Sequence, residues 1–484
     1  MVTHDSFLSG SRWRAAAGEE TFDVVSPATE EVVGTIPRST REDMDAAVAA
    51  ARRAFDSGAW PRMSVRERGE YLLAVVAELE PNLEPLVRVQ IDEMGSPYSF
   101  IGPGTKGVLG MVSGQIDLID SIPIGTVRDG LAGKILVSRE PIGVVATIIP
   151  WNAPVPLIIT RMLSGLLTGN TLVIKPPPES PLSAYLVGEA VIAAGLPEGV
   201  VSFVPGDGEM GEYLVTHPDV DKVSFTGGTV AGRRVAALCG ENLKRSTLEL
   251  GGKSAAILLE DVDLDQHLDT LIATSMPNTG QVCFATTRIL VPRSRSDEVI
   301  DRFVTRLSGM KVGDPQDPET RFGPLVSARQ RERVEGYIKA GTEEGAKIAI
   351  GGGRPADQSA GWYVEPTVFT GVDNGMRIAQ EEIFGPVVAM IEYGTEDEAV
   401  GIANDSPYGL GGSVFTDDVD HGLEVAGRIK TGTAAVNEGP QGGGGGPFGG
   451  VKDSGLGRER GLEGYDSYYE VKSVALPPGS EIGG

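Results

Sequence analysis

Cysteine is scarce in this chain, which has only Cys239 and Cys283 among its 484 residues. Two thiols cannot cross-link a chain of this length, so free thiols and a reducing compartment are expected. The apolar runs are also short: those that end at Pro150 and Lys175 fall far below the roughly 20 residues that span a bilayer. The N-terminal segment M-V-T-H-D-S-F-L-S-G has no signal-peptide pattern. These absences predict a cytoplasmic protein with no membrane partner.

Positive charge is in short supply as well, with 42 Lys and Arg residues against 67 Asp and Glu residues and a formal net charge of −25. A surface this acidic repels nucleic acid and anionic membrane, so neither is expected as a partner. The length exceeds that of one compact core, and two or three domains are therefore expected.

Between about residues 140 and 260, short apolar runs alternate with segments of helical spacing. The runs are 144–149, 171–174, 200–204, 222–225 and 254–259, and the helical segments are 155–167, 181–194, 209–217 and 230–239. This alternation predicts βαβ units and a parallel sheet covered on both faces. Such a sheet binds ligands outside the carboxyl ends of its strands, so the residues that follow each run are site candidates.

The rest of the chain predicts more helices and a second α/β unit. Residues 40–100 contain two amphipathic stretches, and a second alternating block runs from about 285 to 440. Its expected strands are 289–291, 346–350, 387–393 and 413–415. The G-G-G-G-G run at 442–446 is either a flexible linker or a loop close to a ligand, and we favour the loop because ordered-looking sequence follows it.

Three glycine-rich stretches are candidates for phosphate binding. G-P-G-T-K-G at 102–107 follows no strand-like run, which argues against it. G-D-G-E-M-G at 206–211 lies between a strand and a helix, but Phe225 and Thr226 stand where the dinucleotide fingerprint places an acid. F-T-G-G-T-V-A-G at 225–232 offers free N–H groups at a helix start; the alternative is an ordinary N-capped turn.

Four residues supply candidate chemistry after these runs. Asn152 could donate an N–H to an oxyanion or simply cap a turn. Lys175 suits a ribose or phosphate partner, the alternative being a solvated lysine before three prolines. Glu249 precedes a Gly pair, and Cys283 follows a Gly and an amide in N-T-G-Q-V-C-F. We interpret Cys239, at the end of a helical segment, as a buried small hydrophobe.

These residues, with three later motifs, resemble the aldehyde dehydrogenase superfamily over nearly the whole chain. The motifs are E-E-I-F-G-P-V (381–387), N-D-S-P-Y-G-L (404–410) and P-F-G-G-V-K-D-S-G-L-G-R-E (447–459). The resemblance implies that Cys283 attacks the aldehyde to give a thiohemiacetal, and that hydride loss to the nicotinamide leaves a thioester. Cysteine suits this role because it is both a good nucleophile and a good leaving group.

The resemblance also implies the other roles. Asn152 and the Cys283 backbone N–H stabilise the oxyanion, Glu249 activates the hydrolytic water, and Glu459 forms part of a proton relay. Lys175 holds the adenosine ribose and Glu382 the nicotinamide ribose. The complete expected cofactor set is Ile148, Pro150, Trp151, Lys175, Gly208, Gly211, Phe225, Thr226, Gly227, Gly228, Leu250, Glu382 and Phe384. No metal is expected.

The expected cofactor is NAD, with NADP as an alternative because Pro178 stands where many NAD-using members have Glu. The expected substrate pocket consists of Leu157, Thr160, Arg161, Met276 and Phe284. This set suggests a medium or bulky apolar aldehyde, although Arg161 could serve as a carboxylate clamp. The glycine-rich segment at 438–446 would leave the pocket mouth wide or mobile.

Two other functions are alternatives. A CoA-acylating dehydrogenase is disfavoured by Glu249, since the acylating branch generally lacks this base, and a non-enzymatic protein is disfavoured because Cys283, Glu249 and Asn152 are all intact.

The fold that the resemblance implies is α/β with three parts: a Rossmann-like cofactor domain (1–117 and 139–250), an α/β catalytic domain (251–446) and a small β oligomerisation element (118–138 and 466–484). Its strand edges predict a homodimer or homotetramer.

Overall fold

The computed structural model describes residues 2–131, 133–440 and 445–477. The helices are α1 (Arg41–Ser57), α2 (Val65–Leu79), α3 (Leu83–Met94), α4 (Tyr98–Gly110), α5 (Val112–Asp120), α6 (Pro154–Leu167), α7 (Leu182–Ala193), α8 (Gly208–Thr216), α9 (Thr229–Glu241), α10 (Leu264–Ser275), α11 (Ser296–Ser308), α12 (Ala328–Glu343), α13 (Arg377–Gln380), α14 (Glu396–Asn404), α15 (Val419–Ala426) and α16 (Gly461–Asp466).

The strands form four sheets. They are β1 (Val2–Thr3), β2 (Ser6–Leu8), β3 (Trp13–Ala15), β4 (Thr21–Val25), β5 (Val32–Pro37), β6 (Gly125–Gly130), β7 (Gly133–Pro141), β8 (Val144–Ile148), β9 (Thr171–Lys175), β10 (Val201–Phe203), β11 (Lys222–Thr226), β12 (Arg245–Glu249), β13 (Ala255–Leu258), β14 (Arg288–Pro292), β15 (Lys347–Ile350), β16 (Thr367–Thr370), β17 (Val387–Tyr393), β18 (Gly411–Phe415), β19 (Thr433–Val436), β20 (Gly455–Leu456) and β21 (Tyr469–Ala475).

The first large sheet carries most of the predicted βαβ units. Its order is β20-β12-β11-β8-β9-β10-β2-β3, and the five strands from β12 to β10 are parallel. Strands β8 and β9 are buried along their whole length, as their continuous apolar sequences require. The predicted strands and helices between residues 144 and 241 are confirmed. Strand β12 was not predicted, because its first residues, R-S-T, are polar.

The second large sheet has the order β15-β16-β17-β14-β13-β18-β19. Its strands are parallel except for the edge pair β15 and β16. Strand β13, predicted within the first alternating block, pairs here with β14 and β18 instead. The chain therefore crosses between the two sheets just after Glu249, and the crossing segment, residues 250–254, lies at the carboxyl end of the first sheet.

A separate three-stranded sheet joins β6, β7 and the C-terminal β21. Strands β6 and β21 and most of β7 lie within the expected β element (118–138 and 466–484), but residues 118–120 end helix α5 instead of beginning a strand. Val127, Val471 and Val474 are exposed on this sheet. The remaining small sheet has the order β1-β5-β4.

Helix starts follow local sequence signals. Thr40 and Asp43 form a capping box at α1, and Ser64 and Glu67 form another at α2. The G-P-G-T-K-G stretch lies inside α4, which confirms that it is not a phosphate loop. Residues 441–444, most of the glycine run for which a loop near a ligand was predicted, lie outside the described residues. No helix in the described ranges is both long and apolar enough to cross a membrane.

Candidate active site

A cavity of about 720 Å³ opens where the two large sheets meet. The residues that line it come from the ends of β8, β11 and β12, from helices α8, α9 and α12, and from the loops that carry Cys283, Glu382 and Tyr408. They are Pro150, Trp151, Asn152, Glu212, Thr226, Gly227, Gly228, Thr229, Val230, Ala231, Arg234, Glu249, Leu250, Gly251, Cys283, Gln330, Arg333, Glu382, Phe384 and Tyr408. Strand ends that meet at one edge therefore bring distant segments to a single space.

The loop that presents Cys283 has an unusual backbone. Asn278 and Thr279 both have left-handed φ angles, 49° and 56°, a conformation that side-chain-bearing residues adopt at a cost. Asn278 is held by Ser96, whose hydroxyl donates to Asn278 Oδ1 at 2.6 Å, and Asn278 Nδ2 donates to the Asn152 carbonyl at 3.2 Å. These buried hydrogen bonds fix the loop that positions the thiol.

Cys283 itself is partly accessible and lies next to two carboxylates. Burial raises its pKa to about 12, and the charges of Glu382 and Glu249 add to this shift. The Cys283 and Phe284 backbone N–H groups act in the opposite direction by stabilising the thiolate. The protein surroundings therefore favour the neutral thiol of Cys283 over the thiolate. Cys239 is buried in an apolar cluster, as predicted.

Asn152 lies just beyond strand β8 with its amide directed at the Cys283 loop. One of its Nδ2 hydrogens is donated to the Gln281 carbonyl at 2.8 Å. This bond fixes the amide orientation, and the second Nδ2 hydrogen has no acceptor among the described residues. Asn152 and Cys283 line the same cavity. The amide is thus available as an oxyanion donor.

Glu249 is a buried carboxylate without a hydrogen-bond partner. It ends strand β12, and neither of its side-chain oxygens has a donor within the described residues. Burial raises the pKa of Glu249 well above its usual value, and the nearby Glu459 charge raises it further. A Cβ added at Gly449 would lie 2.6 Å from Glu249 Oε1, so glycine is required there for the carboxylate to fit.

Glu459 has the opposite environment. Its Oε1 accepts from the Ser224 hydroxyl at 2.8 Å, and its Oε2 accepts from the Tyr468 hydroxyl at 3.2 Å. Arg161 Nη1 lies 3.2 Å from Glu459 Oε2, and Arg161 Nη2 donates to the Thr226 hydroxyl at 2.9 Å. Arg161, predicted as a substrate-pocket residue, is thus buried in an ion pair with Glu459, and its guanidinium is not available to clamp a substrate carboxylate.

The cofactor side of the cavity ends at the start of helix α9. The N-cap residue Gly228 has no side chain that could cap the helix, so no side-chain cap occupies the first N–H groups of α9. Gly228 and Val230, at this end of the helix, both line the cavity. Glu382 Oε1 accepts from the Gly252 N–H at 3.0 Å, and burial raises its pKa to about 7. Phe384 packs edge-on against Trp151 at 5.4 Å.

Comparison with known proteins decides the family. A family profile described as Aldehyde dehydrogenase family matches residues 13–474. The chain belongs to the aldehyde dehydrogenase family. Its sequence is 44% identical over 477 residues to geranial dehydrogenase of Castellaniella defragrans, covering 98% of this chain and 99% of that protein. It is 40% identical over 482 residues to 3-succinoylsemialdehyde-pyridine dehydrogenase of a Pseudomonas species, covering 99% of this chain and 100% of that protein.

Solved structures agree with this assignment. An aldehyde dehydrogenase of Mycobacterium tuberculosis complexed with NAD+ has a TM-score of 0.97 and 44% sequence identity, covering 99% of this chain and 100% of that chain. The NAD+ complex of an aldehyde dehydrogenase from Bacillus cereus has a TM-score of 0.94 and 38% identity, covering 98% and 96%. The resemblance read from the motifs is confirmed, and the reaction class is the oxidation of aldehydes to acids.

The aldehyde dehydrogenase site contains most, but not all, of the predicted residues. Eight of the thirteen predicted cofactor residues line the cavity: Pro150, Trp151, Thr226, Gly227, Gly228, Leu250, Glu382 and Phe384. The other five, Ile148, Lys175, Gly208, Gly211 and Phe225, do not. Lys175 and Gly211 instead lie next to each other, since a Cβ at Gly211 would be 3.4 Å from Lys175 Cε. Burial lowers the pKa of Lys175 to about 8.

The predicted substrate residues divide in the same way. Phe284 is half-buried and meets Phe448 edge-to-face at 6.0 Å. Leu157 is partly buried on α6, and the Thr160 hydroxyl donates back to the Pro156 carbonyl at 2.9 Å. Met276, predicted as a pocket residue, is fully buried in the core between the second sheet and helices α10 and α11 and is not among the residues that line the cavity. Its position, seven residues before the thiol, was a poor guide because helix α10 ends there.

Some site residues were not predicted. Glu212, Arg234, Gln330, Arg333 and Tyr408 also line the cavity. Tyr408 lies within the N-D-S-P-Y-G-L motif, which pointed to the family and not to a site residue. The other four lie on helix surfaces, where a polar residue in sequence is indistinguishable from a solvated one.

Proposed function

We propose that this protein oxidises a medium or bulky apolar aldehyde to the carboxylic acid with NAD+, through a thioester on Cys283. The observation that carries the proposal is the convergence of Cys283, Asn152 and Glu249 on one cavity. Glu249 is the decisive member, because a buried carboxylate with no hydrogen-bond partner is costly to stability and suits a base that must meet a water molecule.

The cavity fits a dinucleotide. The exposed N–H groups at the start of α9 suit the pyrophosphate, and a Cβ at Gly228 would meet no atom within 4 Å, so the backbone there is open to close approach. Glu382 would hold the nicotinamide ribose and Lys175 the adenosine ribose. Bound NAD+ supplies the acceptor for the hydride that leaves the substrate. The M. tuberculosis and B. cereus relatives are described as NAD+ complexes.

The choice of NAD over NADP rests on the adenosine end. Glu179 follows the Pro178 position, and its carboxylate lies 3.6 Å from the mostly exposed Arg329 guanidinium. The Glu179 charge also raises the pKa of Lys175 against the larger effect of burial. A carboxylate beside Lys175 favours ribose hydroxyls and repels a 2′-phosphate.

The first chemical step belongs to Cys283. The Cys283 thiol gives up its proton to solvent in the cavity, and the resulting thiolate attacks the aldehyde carbon. The carbonyl oxygen becomes an alkoxide between Asn152 Nδ2 and the Cys283 backbone N–H. Because Asn152 is fixed by Gln281, these donors are oriented before the charge develops. Collapse of the alkoxide re-forms the carbonyl and expels hydride, which leaves a thioester on Sγ.

The second step belongs to Glu249. Its ionised carboxylate takes a proton from water as the water attacks the thioester carbon. The resulting tetrahedral adduct collapses, the C–S bond breaks, and the acid leaves while Cys283 is regenerated. A carboxylate whose pKa is raised by burial and by Glu459 is a stronger base than an exposed one.

The proposed substrate class follows from the aldehyde side. Phe284 and Phe448 form an aromatic pair next to the nucleophile, Leu157 adds apolar surface, and Arg161 is occupied by Glu459. The relative named geranial dehydrogenase is consistent with an apolar substrate. The CoA-acylating alternative is disfavoured by Glu249, whose carboxylate has no hydrogen-bond partner among the described residues and suits a base that activates water.

The test is NADH formation with a panel of apolar aldehydes, with NAD+ and NADP+ compared, for the wild type and Cys283→Ala. We expect CoA-independent activity with NAD+ that is lost in the variant. Activity that survives in Cys283→Ala would overturn the thioester mechanism. Wild-type activity only in the presence of CoA would move the assignment to acyl transfer.

We further propose that the chain is divided into the predicted cofactor, catalytic and oligomerisation segments. In this proposal, the β6-β7-β21 sheet mediates assembly into a homodimer or homotetramer. The support is a C-terminal edge strand with Val471 and Val474 exposed. Sedimentation of the wild type and Val471→Asp tests this, since a monomeric wild type would contradict it.

A further inference from the structure

Two chain segments near the C-terminus, one at Phe448 and one at Glu459, are joined by backbone hydrogen bonds. The Phe448 N–H donates to the Glu459 carbonyl at 2.7 Å, and the Glu459 N–H donates to the Phe448 carbonyl at 2.8 Å. This reciprocal pair places Phe448 opposite the turn 459–461. A Cβ at Gly461 would lie 2.7 Å from the Pro447 nitrogen, so the two segments are in close contact.

The Phe448 ring is held from two directions. Its neighbour Phe284, which directly follows Cys283, meets it at 6.0 Å with an interplanar angle of 79°. On another side, Arg460 Cζ lies 4.9 Å from the ring centroid. The orientation of a ring beside the nucleophile therefore depends on a cation supplied by the opposite segment.

The backbone at Arg460 is strained in a way that serves this contact. Its φ of 59° lies in the left-handed region, where a residue with a Cβ is disfavoured. Arg460 is half-buried, and this burial lowers its pKa, with the Arg161 charge acting in the same direction. Cation–π attraction is stronger for a desolvated cation. Strain and desolvation persist at functional sites when surrounding contacts compensate them.

We propose that Arg460 is a specificity-determining residue that holds Phe448 against Phe284 and so shapes the approach to Cys283 for flat apolar aldehydes, an inference that rests on the proposed function. Arg460 touches no reacting atom in this scheme; it acts through the Phe448 ring. Aldehydes that extend past the aromatic pair depend on it, and short ones do not.

The first test compares cinnamaldehyde with propanal in Arg460→Leu. We expect KM for cinnamaldehyde to rise about tenfold, with KM for propanal and for NAD+ changing less than about twofold. Arg460→Lys should restore part of the loss, because it keeps a cation. The matched control is Arg88→Leu, which removes a cation on helix α3 that lies 4.8 Å from the Tyr98 ring of helix α4 and should leave the ratio of the two KM values unchanged.

A double-mutant cycle tests the route through the ring. In a Phe448→Leu background, Arg460→Leu should have no further effect on KM for cinnamaldehyde. Full additivity of the two substitutions, or an equal rise in KM for both aldehydes, would overturn the proposal. Either result would mean that Arg460 acts on the fold or on Glu249 and not on the aromatic pair.

A measurement without turnover keeps this inference separate from the proposed function. Alkylation of Cys283 by iodoacetamide and by its N-benzyl analogue at mildly alkaline pH can be followed by mass spectrometry of the Cys283 peptide. We expect Arg460→Leu to change the ratio of the benzyl to the small-reagent rate by about fivefold or more. An unchanged ratio would overturn the role of Arg460 even if the wild type oxidised no aldehyde, an outcome that would by itself sink the proposed function.

Discussion

Glu249 and Glu459 are neighbouring buried carboxylates in opposite surroundings. Glu459 is bonded to a serine, a tyrosine and an arginine, whereas Glu249 has no hydrogen-bond partner among the described residues. A buried charge that is fully paired contributes to a fixed structure, and one that is unpaired costs stability. Under the proposed function, this difference gives the two carboxylates different roles: Glu249 meets the water molecule, and Glu459 holds the surroundings in place.

The most severe test of this comparison is Glu249→Gln. Loss of the base should lower steady-state turnover by about 10³-fold, while Cys283 still attacks and hydride still leaves. Stopped-flow measurement should therefore show a burst of about one NADH per site, followed by slow turnover. A variant with neither burst nor turnover would place Glu249 in the first step, in the ionisation of Cys283.

Glu459→Gln should affect stability more than chemistry. The substitution leaves the buried Arg161 guanidinium without its counter-charge, and breaking a buried ion pair in this way costs about 3–5 kcal/mol. Denaturant unfolding would measure the loss. Glu249→Gln is the matched control, since it removes no hydrogen bond and should be close to neutral or stabilising. Equal destabilisation of the two variants would erase the distinction between the carboxylates.

The pH dependence sharpens the comparison. Because burial and then Glu459 raise the Glu249 pKa, turnover should rise with pH through a range above that of an ordinary carboxylate, as the base ionises. The folded-state pKa exceeds the unfolded one, so the contribution of Glu249 to stability is present at low pH and lost as pH rises through the folded-state pKa. Glu249→Gln should remove that loss from a pH series of unfolding midpoints.

Glu459→Gln should also shift the rate profile. Removing the Glu459 charge eliminates one of the causes that raise the Glu249 pKa, so the acid limb of the kcat profile should move to lower pH. A limb that stays in place in this variant would mean that a group other than Glu249 controls it.

Glu249 and Glu459 also show what the sequence could and could not predict. Glu249 was predicted as a site residue, like Cys283, because it lies in a motif with recognisable chemistry. The parallel sheet was predicted because β8 and β9 are continuous apolar runs. The surroundings of Glu459 were not found, because Ser224 and Arg161 lie far from it in the chain and only the tertiary fold brings them together.

Arg161 and Met276 show where position in the sequence is not enough to place a side chain. Arg161 was predicted on the pocket side, with Leu157 and Thr160, because it follows P-W-N, but the structure pairs its charge with Glu459. Proximity of Met276 to the nucleophile in sequence suggested contact, but the end of helix α10 directs its side chain into the core. Sequence spacing predicts which face of an element is apolar. It does not predict which distant segment covers that face.

The smallest expected effect separates two adjacent tyrosines. Tyr468 donates to Glu459, whereas the Tyr469 hydroxyl is buried and has no hydrogen-bond partner among the described residues. Tyr468→Phe should destabilise the protein by about 1–3 kcal/mol, because a hydrogen bond to a buried carboxylate is lost. Tyr469→Phe should be neutral or slightly stabilising, because it removes an unpaired buried hydroxyl. Since Tyr468 lies just before β21, a loss confined to Tyr468→Phe would tie the C-terminal strand to the carboxylate beside Glu249, and equal losses would refute that link.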